Sequence, residues 1–493
     1  MCRALPIVPS TVCHHFVLCH PSNKHRVISA PSMSISGPAA PRPARPLLTE
    51  GAVGKTLVVF SLPILASNVL QSLNGSVNSM WVGRYLGGAA LTASSNANTI
   101  MFFLIGIVFG VGMAASILVG QSIGAEDVDQ AKRVVGTSAS FFVLAAIGIS
   151  IVGFFASPQL LSWMRTPADA LPYAVAYLRV IFVGMPFIFA YAFVTVVLRG
   201  AGDARTPLVF SLLSVGLDIG LNPLLMFGVG PLPRLGIAGA ATATLLANGI
   251  ALIAILVHLY RRNHFLCLRG KELAYLRPDR ALLGALVKKG LPMGLQMIVM
   301  TSSAIVMISL VNGFGTSTSA AFGAALQLWN YIQMPAFAIG MAASAMAAQN
   351  VGARRWDRVD RVAVVGVGIN VLMTGTLAAV IYLFDRGALG LFLREPEPIA
   401  IGMHLNAIIV WSFTLFGVSM VLSSVVRSTG AVIPPLVILF VSLWVLRIPF
   451  AVLLLARWGA DAIWWSFPLG SLASVALSVA YYRFGGWRSA RML

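Results

Sequence analysis

The sequence predicts an all-α membrane protein with twelve transmembrane helices in two parallel-repeat six-helix lobes. Three observations lead there. First, 58% of the 493 residues are hydrophobic and 10% are charged, with a mean hydropathy of +0.87. A soluble domain carries about a quarter of its residues charged, so this chain could not clothe a soluble surface. A bilayer asks for no polar coat over its hydrocarbon depth. Second, apolar stretches long enough to span the hydrocarbon alternate with short polar joints. Third, the two halves of the chain resemble each other.

Residues 1–50 are rich in Pro, Ser and His without periodicity and read as a disordered N-terminal extension. Cys2, Cys13 and Cys19 lie there near His14, His15, His20 and His25. Without paired CxxC spacing, a metal cluster is the weaker reading and none is expected.

The first span, near 55–80, places Ser67, Gln71, Asn74 and Asn78 at steps of four, three and four. That is one polar helix face. In a membrane it faces inward, to line a cavity or to join helices. Further spans fall near 89–121, 132–156, 172–197, 206–228 and 236–260. The fifth holds Asp218 mid-span, with Asn222 one turn later on the same face. The longest joint, 261–281, carries Arg261, Arg262, Arg269, Lys271, Arg277 and Arg280. It separates a first lobe, 51–260, from a second, 282–485, with a tail at 486–493.

The second lobe repeats the pattern near 282–311, 317–347, 361–384, 399–426, 433–456 and 462–483. Its first span contains Gln296. Its second mixes amide, aromatic and thioether groups at Gln327, Tyr331 and Met334, a combination that adapts to varied ligands. His404 and Asn406 start the tenth span, and Arg447 lies within the eleventh.

Formal net charge is +19. The excess sits in the joints after even-numbered spans, for example Lys132, Arg133, Arg199, Arg205, Arg354, Arg355, Arg358 and Arg427. Charge so placed follows the positive-inside rule, puts both termini in the cytoplasm and argues against nucleic-acid binding, which uses a basic polar surface.

The repeat has a fixed offset. Gly112-Met-Ala-Ala-Ser116 recurs as Gly340-Met-Ala-Ala-Ser344, Gln121 and Gly124 as Gln349 and Gly352, and Pro207-Leu-Val as Pro435-Leu-Val. Six spans is an even number, so the halves enter the bilayer in the same sense, as in transporters that bind solute between two rocking lobes.

An ionisable group inside a span costs about 2.5–3.5 kcal/mol on insertion scales. Asp218 therefore stands out. It suits proton carriage; with Asn222 it also suits Na⁺ coordination; bonds to a neighbouring span are the plain structural alternative.

The chain resembles the multidrug and toxic compound extrusion (MATE) family. The resemblance rests on Leu62-Pro-Ile, Trp81-Val-Gly-Arg, Gly120-Gln-Ser-Ile-Gly-Ala125, Leu198-Arg-Gly-Ala-Gly-Asp203, Asn222-Pro223 and Gly290-Leu-Pro-Met, with second-lobe echoes at Ala348-Gln-Asn-Val-Gly-Ala353 and Arg427-Ser-Thr-Gly430. It covers roughly 51–485. It implies a V-shaped twelve-helix fold and secondary active antiport: a small organic, often cationic, compound leaves as H⁺, or less readily Na⁺, enters. No cofactor beyond that ion is implied. A monomer in a bacterial inner membrane, and no enzyme, is expected. Thr244 matches a cavity-facing Thr of the family. Asn78 stands where many relatives carry Asp, and the order Asp218 then Asn222 reverses the usual Asn then Asp. The coupling set is then Asp218, Asn222, Asn78 and Thr244, and the solute set Gln71, Asn74, Gln296, Gln327, Tyr331 and Met334. The alternatives are a lipid-linked precursor flippase of the same superfamily and a membrane-embedded enzyme. Gly51-Ala-Val-Gly-Lys-Thr56 lacks the leading Gly of a P-loop, so ATP-driven transport is not expected.

Overall fold

A computed structural model describes residues 48–492 apart from 165, 168–169 and 229–233. The cysteines and histidines of the leader lie outside the described residues. The described chain is helical, without strands. The first half forms α1 (Val53–Leu86), α2 (Gly88–Gly124), α3 (Val128–Trp163), α4 (Leu171–Gly200), α5 (Arg205–Phe227) and α6 (Ile237–Arg261). The second half forms α7 (Arg280–Asn312), α8 (Thr316–Gly352), α9 (Trp356–Leu383), short α10 (Asp385–Gly390), α11 (Pro396–Ile409), α12 (Ser412–Arg427), α13 (Ile433–Phe440), a π-helical turn (Val441–Arg447), α14 (Ile448–Trp458) and α15 (Ala460–Phe484). Helices α11 and α12 are one span bent by 43°. The segment α13–π turn–α14 is another, so twelve spans result.

Local chemistry sets the joints. Asp127 caps α3 by accepting from the Gln130 amide at 2.9 Å, and Asp279 caps α7 through Ala281 at 2.8 Å, filling donors that a helix start leaves open. Asp203 accepts from the backbone of Arg205 and Thr206 and so turns the chain into α5. The basic joint is ordered. A 3₁₀ turn, Gly270–Leu276, docks on α3: Lys132 pairs with Glu272 at 2.6 Å and the Tyr275 hydroxyl donates to Asp129 at 2.5 Å. The Tyr275 hydroxyl holds Asp129 below the usual carboxylate range, and Lys132 does the same for Glu272.

Helices α1 and α7 each belong to both lobes. Val53, Leu57, Phe60 and Ile64 of α1 pack among α8, α9 and α12. Leu282, Leu286 and Met293 of α7 pack among α2, α3 and α4, while Met307 and Val311 rejoin the second-lobe core with Phe322, Trp329 and Ile409. Pro63 and Pro292 lie near these changeovers, where a missing backbone donor eases a bend.

The lobes meet at the end that carries the basic joints. The repeated glutamines cross-bond there: Gln121 donates to the Ser428 carbonyl at 2.6 Å, and Gln349 donates to the Gly200 carbonyl at 3.2 Å. Gly124 lies against the backbone of Gln349, and Gly352 against that of Gln121, with no room for a Cβ at either. Gly110 packs against Gly290 and Gly294 in the same way. The last residues of the expected leader join this seal. The Leu48 amide donates to Gln349 at 2.8 Å, and Arg355 donates to the Thr49 carbonyl at 2.8 Å.

Candidate functional site

Helices α1 and α5 start at the same end and run the same way, so side chains four residues apart on each form matching rungs. On the first rung, Asn74 donates to the Asp218 carboxylate at 2.6 Å. On the second, Asn222 donates to the Asn78 amide oxygen at 3.1 Å. From α6, the Thr244 hydroxyl donates to Asp218 at 3.1 Å. The four residues of the expected coupling set thus meet at one place, together with Asn74. Tyr177 of α4 joins them, a residue that the sequence reading did not single out.

All of these but Asn222 face a cavity of about 240 Å³ inside the first lobe, lined by Asn74, Asn78, Asp218, Thr244, Tyr177 and Met101, among others. Asp218 itself is only 2% exposed. Its partners are neutral donors, and none of the ion pairs among the described residues includes it. Asn222 is equally buried and its Oδ1 has no partner. Arg447, the other mid-span charge noted in the sequence, sits in the other lobe over the Phe467 ring.

The expected solute set is dispersed. Asn74 belongs to the Asp218 cavity. Gln296 is buried and accepts from Arg427 at 2.6 Å, at the wall of a methionine-rich cavity reached by Met113 of the first lobe and Met341 of the second. Gln71, Gln327 and Tyr331 are exposed and Met334 is half-buried; all four lie outside the cavities described here. On α8 the cavity face is instead Trp329, Gln333 and Phe337. A further buried acid lies where the sequence offered no signal: Asp385 of α10 accepts from Asn406 at 2.7 Å, and Asn406 accepts from the Trp329 indole at 2.8 Å.

Two duplicated six-span bundles, sealed against each other at one end and enclosing a buried carboxylate, define a helical membrane transporter. The sequence model of the MatE family matches residues 63–224 and 292–453, and the chain belongs to that family. It is 36% identical to the "Probable multidrug resistance protein YoeA" of Bacillus subtilis, over 89% of this chain and 96% of that protein. It is 34% identical to the "Probable multidrug resistance protein YpnP" of the same organism, over 90% and 98%. Among solved structures it resembles an outward-facing multidrug resistance MATE family transporter, with a TM-score of 0.81 at 22% identity over 88% of this chain and 96% of that one. The expected twelve-helix MATE fold and the family are therefore correct, and members of this family are transporters rather than enzymes.

Proposed function

We propose that this protein exports small organic compounds in exchange for protons, by alternating access between its lobes. Its basic joints and both termini face the cytoplasm of a bacterial plasma membrane, and it works as a monomer without a cofactor. The observation that carries the coupling is Asp218: one carboxylate, buried within a span, served only by neutral donors and bordering a cavity. A proton neutralises such a group with no other ligand needed. Na⁺ is a hard cation and would want several oxygens around it, whereas Asn74 and Thr244 turn N–H and O–H donors toward the carboxylate. The seal at the basic end closes the cytoplasmic path, which fits release to the outside.

The test is dye efflux from proteoliposomes under an imposed proton gradient or, separately, a sodium gradient. The proton gradient drives efflux by the native chain, and Asp218→Asn abolishes gradient-driven efflux while leaving dye binding. Full proton-driven efflux by Asp218→Asn, or efflux driven by sodium alone, overturns the assignment.

A further inference from the structure

The second lobe contains its own copy of the Asp218 cavity, with the charge reversed. The family match runs from 63 to 224 and again from 292 to 453, a register of 229 that sets Arg447 opposite Asp218 and Met307 opposite Asn78. Register 228, fixed by Gly112 and Gly340, pairs Ser94 with Phe322, Asn98 with Leu326 and Met101 with Trp329. Gly236 and Gly459 begin α6 and α15 with nearly the same backbone angles, φ 56° and ψ −131° against φ 57° and ψ −139°. Counting from them, Phe467 takes the place of Thr244. The first member of each pair lines the first-lobe cavity, and the second lines a cavity of about 150 Å³ in the second lobe. The acid of one has become an arginine in the other, its amides Asn78 and Asn98 have become Met307 and Leu326, and Ser94, Met101 and Thr244 have become aromatic rings.

The arginine reaches this place by a specific device. Pro207 and Pro435 are in register 228, which would bring Leu446 opposite Asp218. The π-helical turn Val441–Arg447 takes up one extra residue and delivers Arg447 instead. Such turns are concentrated at functional sites. Gly470 leaves space for the Arg447 stem: a Cβ there would lie 3.2 Å from the Arg447 Cβ and 3.3 Å from the Ser442 carbonyl. The guanidinium carbon lies 3.5 Å from the centre of the Phe467 ring. Its Nε has no hydrogen-bond partner, and among the described residues no carboxylate pairs with it. The Nε of Arg427, at the adjoining cavity, also lacks a partner, but Gln296 and Ser424 accept from its two terminal nitrogens. A cation at mid-span ordinarily has a partner. Here the cavity offers an open side, walled by Trp329, Phe322, Phe413, Phe416 and Met300, with Gln333 and Ser471 as polar neighbours.

We propose that this second-lobe cavity is a binding site for amphipathic organic anions, aromatic compounds bearing a carboxylate or sulfonate, whose acidic group pairs with Arg447 and whose rings lie against the aromatic wall. The proposal rests on the export reading and supplies its substrate class. It reverses the cationic class that the family resemblance implied. Arg447 offers a planar, bidentate match to a carboxylate, and an ion pair closed off from water is stronger than an exposed one.

Fluorescein and rhodamine 6G test it, since they share a xanthene body and differ in charge. Their binding to the purified full chain is read by fluorescence anisotropy in chloride-free buffer. The native chain binds fluorescein more tightly. Arg447→Gln weakens fluorescein by about tenfold or more, the loss expected for one charge-assisted pair, while Arg447→Lys weakens it less and neither variant loses rhodamine 6G binding. Retained rhodamine binding also shows that the variants are folded. If Arg447→Gln does not fold, the native preference and the Arg447→Lys loss still decide. Native preference for rhodamine 6G, or fluorescein affinity indifferent to residue 447, overturns the proposal. So does saturable chloride binding with none of fluorescein, which marks an inorganic-anion site. In proteoliposomes, a proton gradient that expels rhodamine 6G but not fluorescein sinks the anion site alone; one that expels neither tells against proton-coupled export itself.

Discussion

Adding a methyl group at Gly124 or Gly352 shifts the protein away from the sealed arrangement. At each position the new Cβ would fall on a backbone carbonyl of the other lobe, that of Gln349 or Gln121 respectively. Neither carbonyl is free to yield. The Gln349 carbonyl already accepts from the Ala353 amide at 3.0 Å, and the Gln121 carbonyl from Ala125 at 2.9 Å, so retreat unwinds a helix end. Overpacking of this kind costs about 1–3 kcal/mol, and it acts on the sealed state only. The ratio of separated to sealed molecules therefore rises about 5- to 150-fold. The intrinsic helix preference of Ala over Gly works the other way within each helix, but it favours both states alike and drops out of the ratio. Gly148→Ala is the control, because nothing lies within 4 Å of its added Cβ. The assay is electron–electron distance measurement between nitroxides at Glu126 and Arg354, exposed residues just after α2 and α8, in a cysteine-free background. Gly124→Ala and Gly352→Ala each broaden the distribution toward longer distances, and Gly148→Ala leaves it alone. Identical distributions in all three, with native transport, would refute the view that these glycines permit the seal.

Two more outcomes follow from the second lobe's buried chain and from the docked joint. Asn406→Leu strands the Asp385 carboxylate and the Trp329 indole, at about 1–3 kcal/mol for each group left without a partner, so the thermal unfolding midpoint falls; an unchanged midpoint would show that the chain Asp385–Asn406–Trp329 does not stabilise the fold. For the 3₁₀ turn, Asp129 and Glu272 are held below their ordinary values of 3.8 and 4.5. A carboxylate depressed on docking stabilises the docked form above its undocked value and loses that contribution as pH falls through the lower, docked one. Hydrogen exchange of the amides in 270–276, corrected for intrinsic rate, stays flat from about pH 8 to 5 and rises only below about pH 4; loss of protection near neutrality would contradict this assignment.

The spans, their pairing into halves and the importance of Asp218 were legible because each has a periodic or thermodynamic signature. Hydrocarbon thickness fixes span length, duplication leaves letters in register, and a mid-span acid violates the apolar pattern. The polar stripe on α1 was legible as a face, yet its partner was not, since nothing along one chain says that α1 and α5 run side by side in register. That pairing also gives the reversed order of Asp218 and Asn222 a physical sense: the acid meets Asn74 on one rung, and Asn222 meets Asn78 on the next. In α8, a run of attractive side chains was read without separating helix faces. Trp329, Gln333 and Phe337 follow steps of four and share a face, whereas Gln327 and Tyr331 point elsewhere. Asp385 escaped notice because a six-residue helix between spans has no period to detect. Arg447 was visible but its place was not: only a one-residue π insertion brings it into register with Asp218, and sequence periodicity does not reveal such a turn.

The two lobes are joined through helices that are members of both, and on the proposed proton exchange this gives the proton a route to act at a distance. The first half of α1 is lodged in the second-lobe core through Leu57, Phe60 and Ile64, and its second half is held to the first lobe through Asn74 and Asp218. In the proton-exchange reading, a proton on Asp218 removes the charge that strengthens the Asn74 bond, since hydrogen bonds to an ionised acceptor are about twice as strong as neutral ones. The part of α1 left to respond is the segment beyond Ile64 and Leu65, just past Pro63, because the part before it is packed on the other lobe. Helix α7 repeats the arrangement with Met307 where α1 has Asn78; beyond Pro292 it is held by packing, by the Gln296–Arg427 bond and by the Trp444 indole on the Val299 carbonyl, and no bond from Asp218 reaches it. One crossing helix then answers to the proton and the other to the second-lobe cavity, which Met300 and Met307 of α7 line. On the proposed exchange, ion and solute thus act on the same seal from opposite sides.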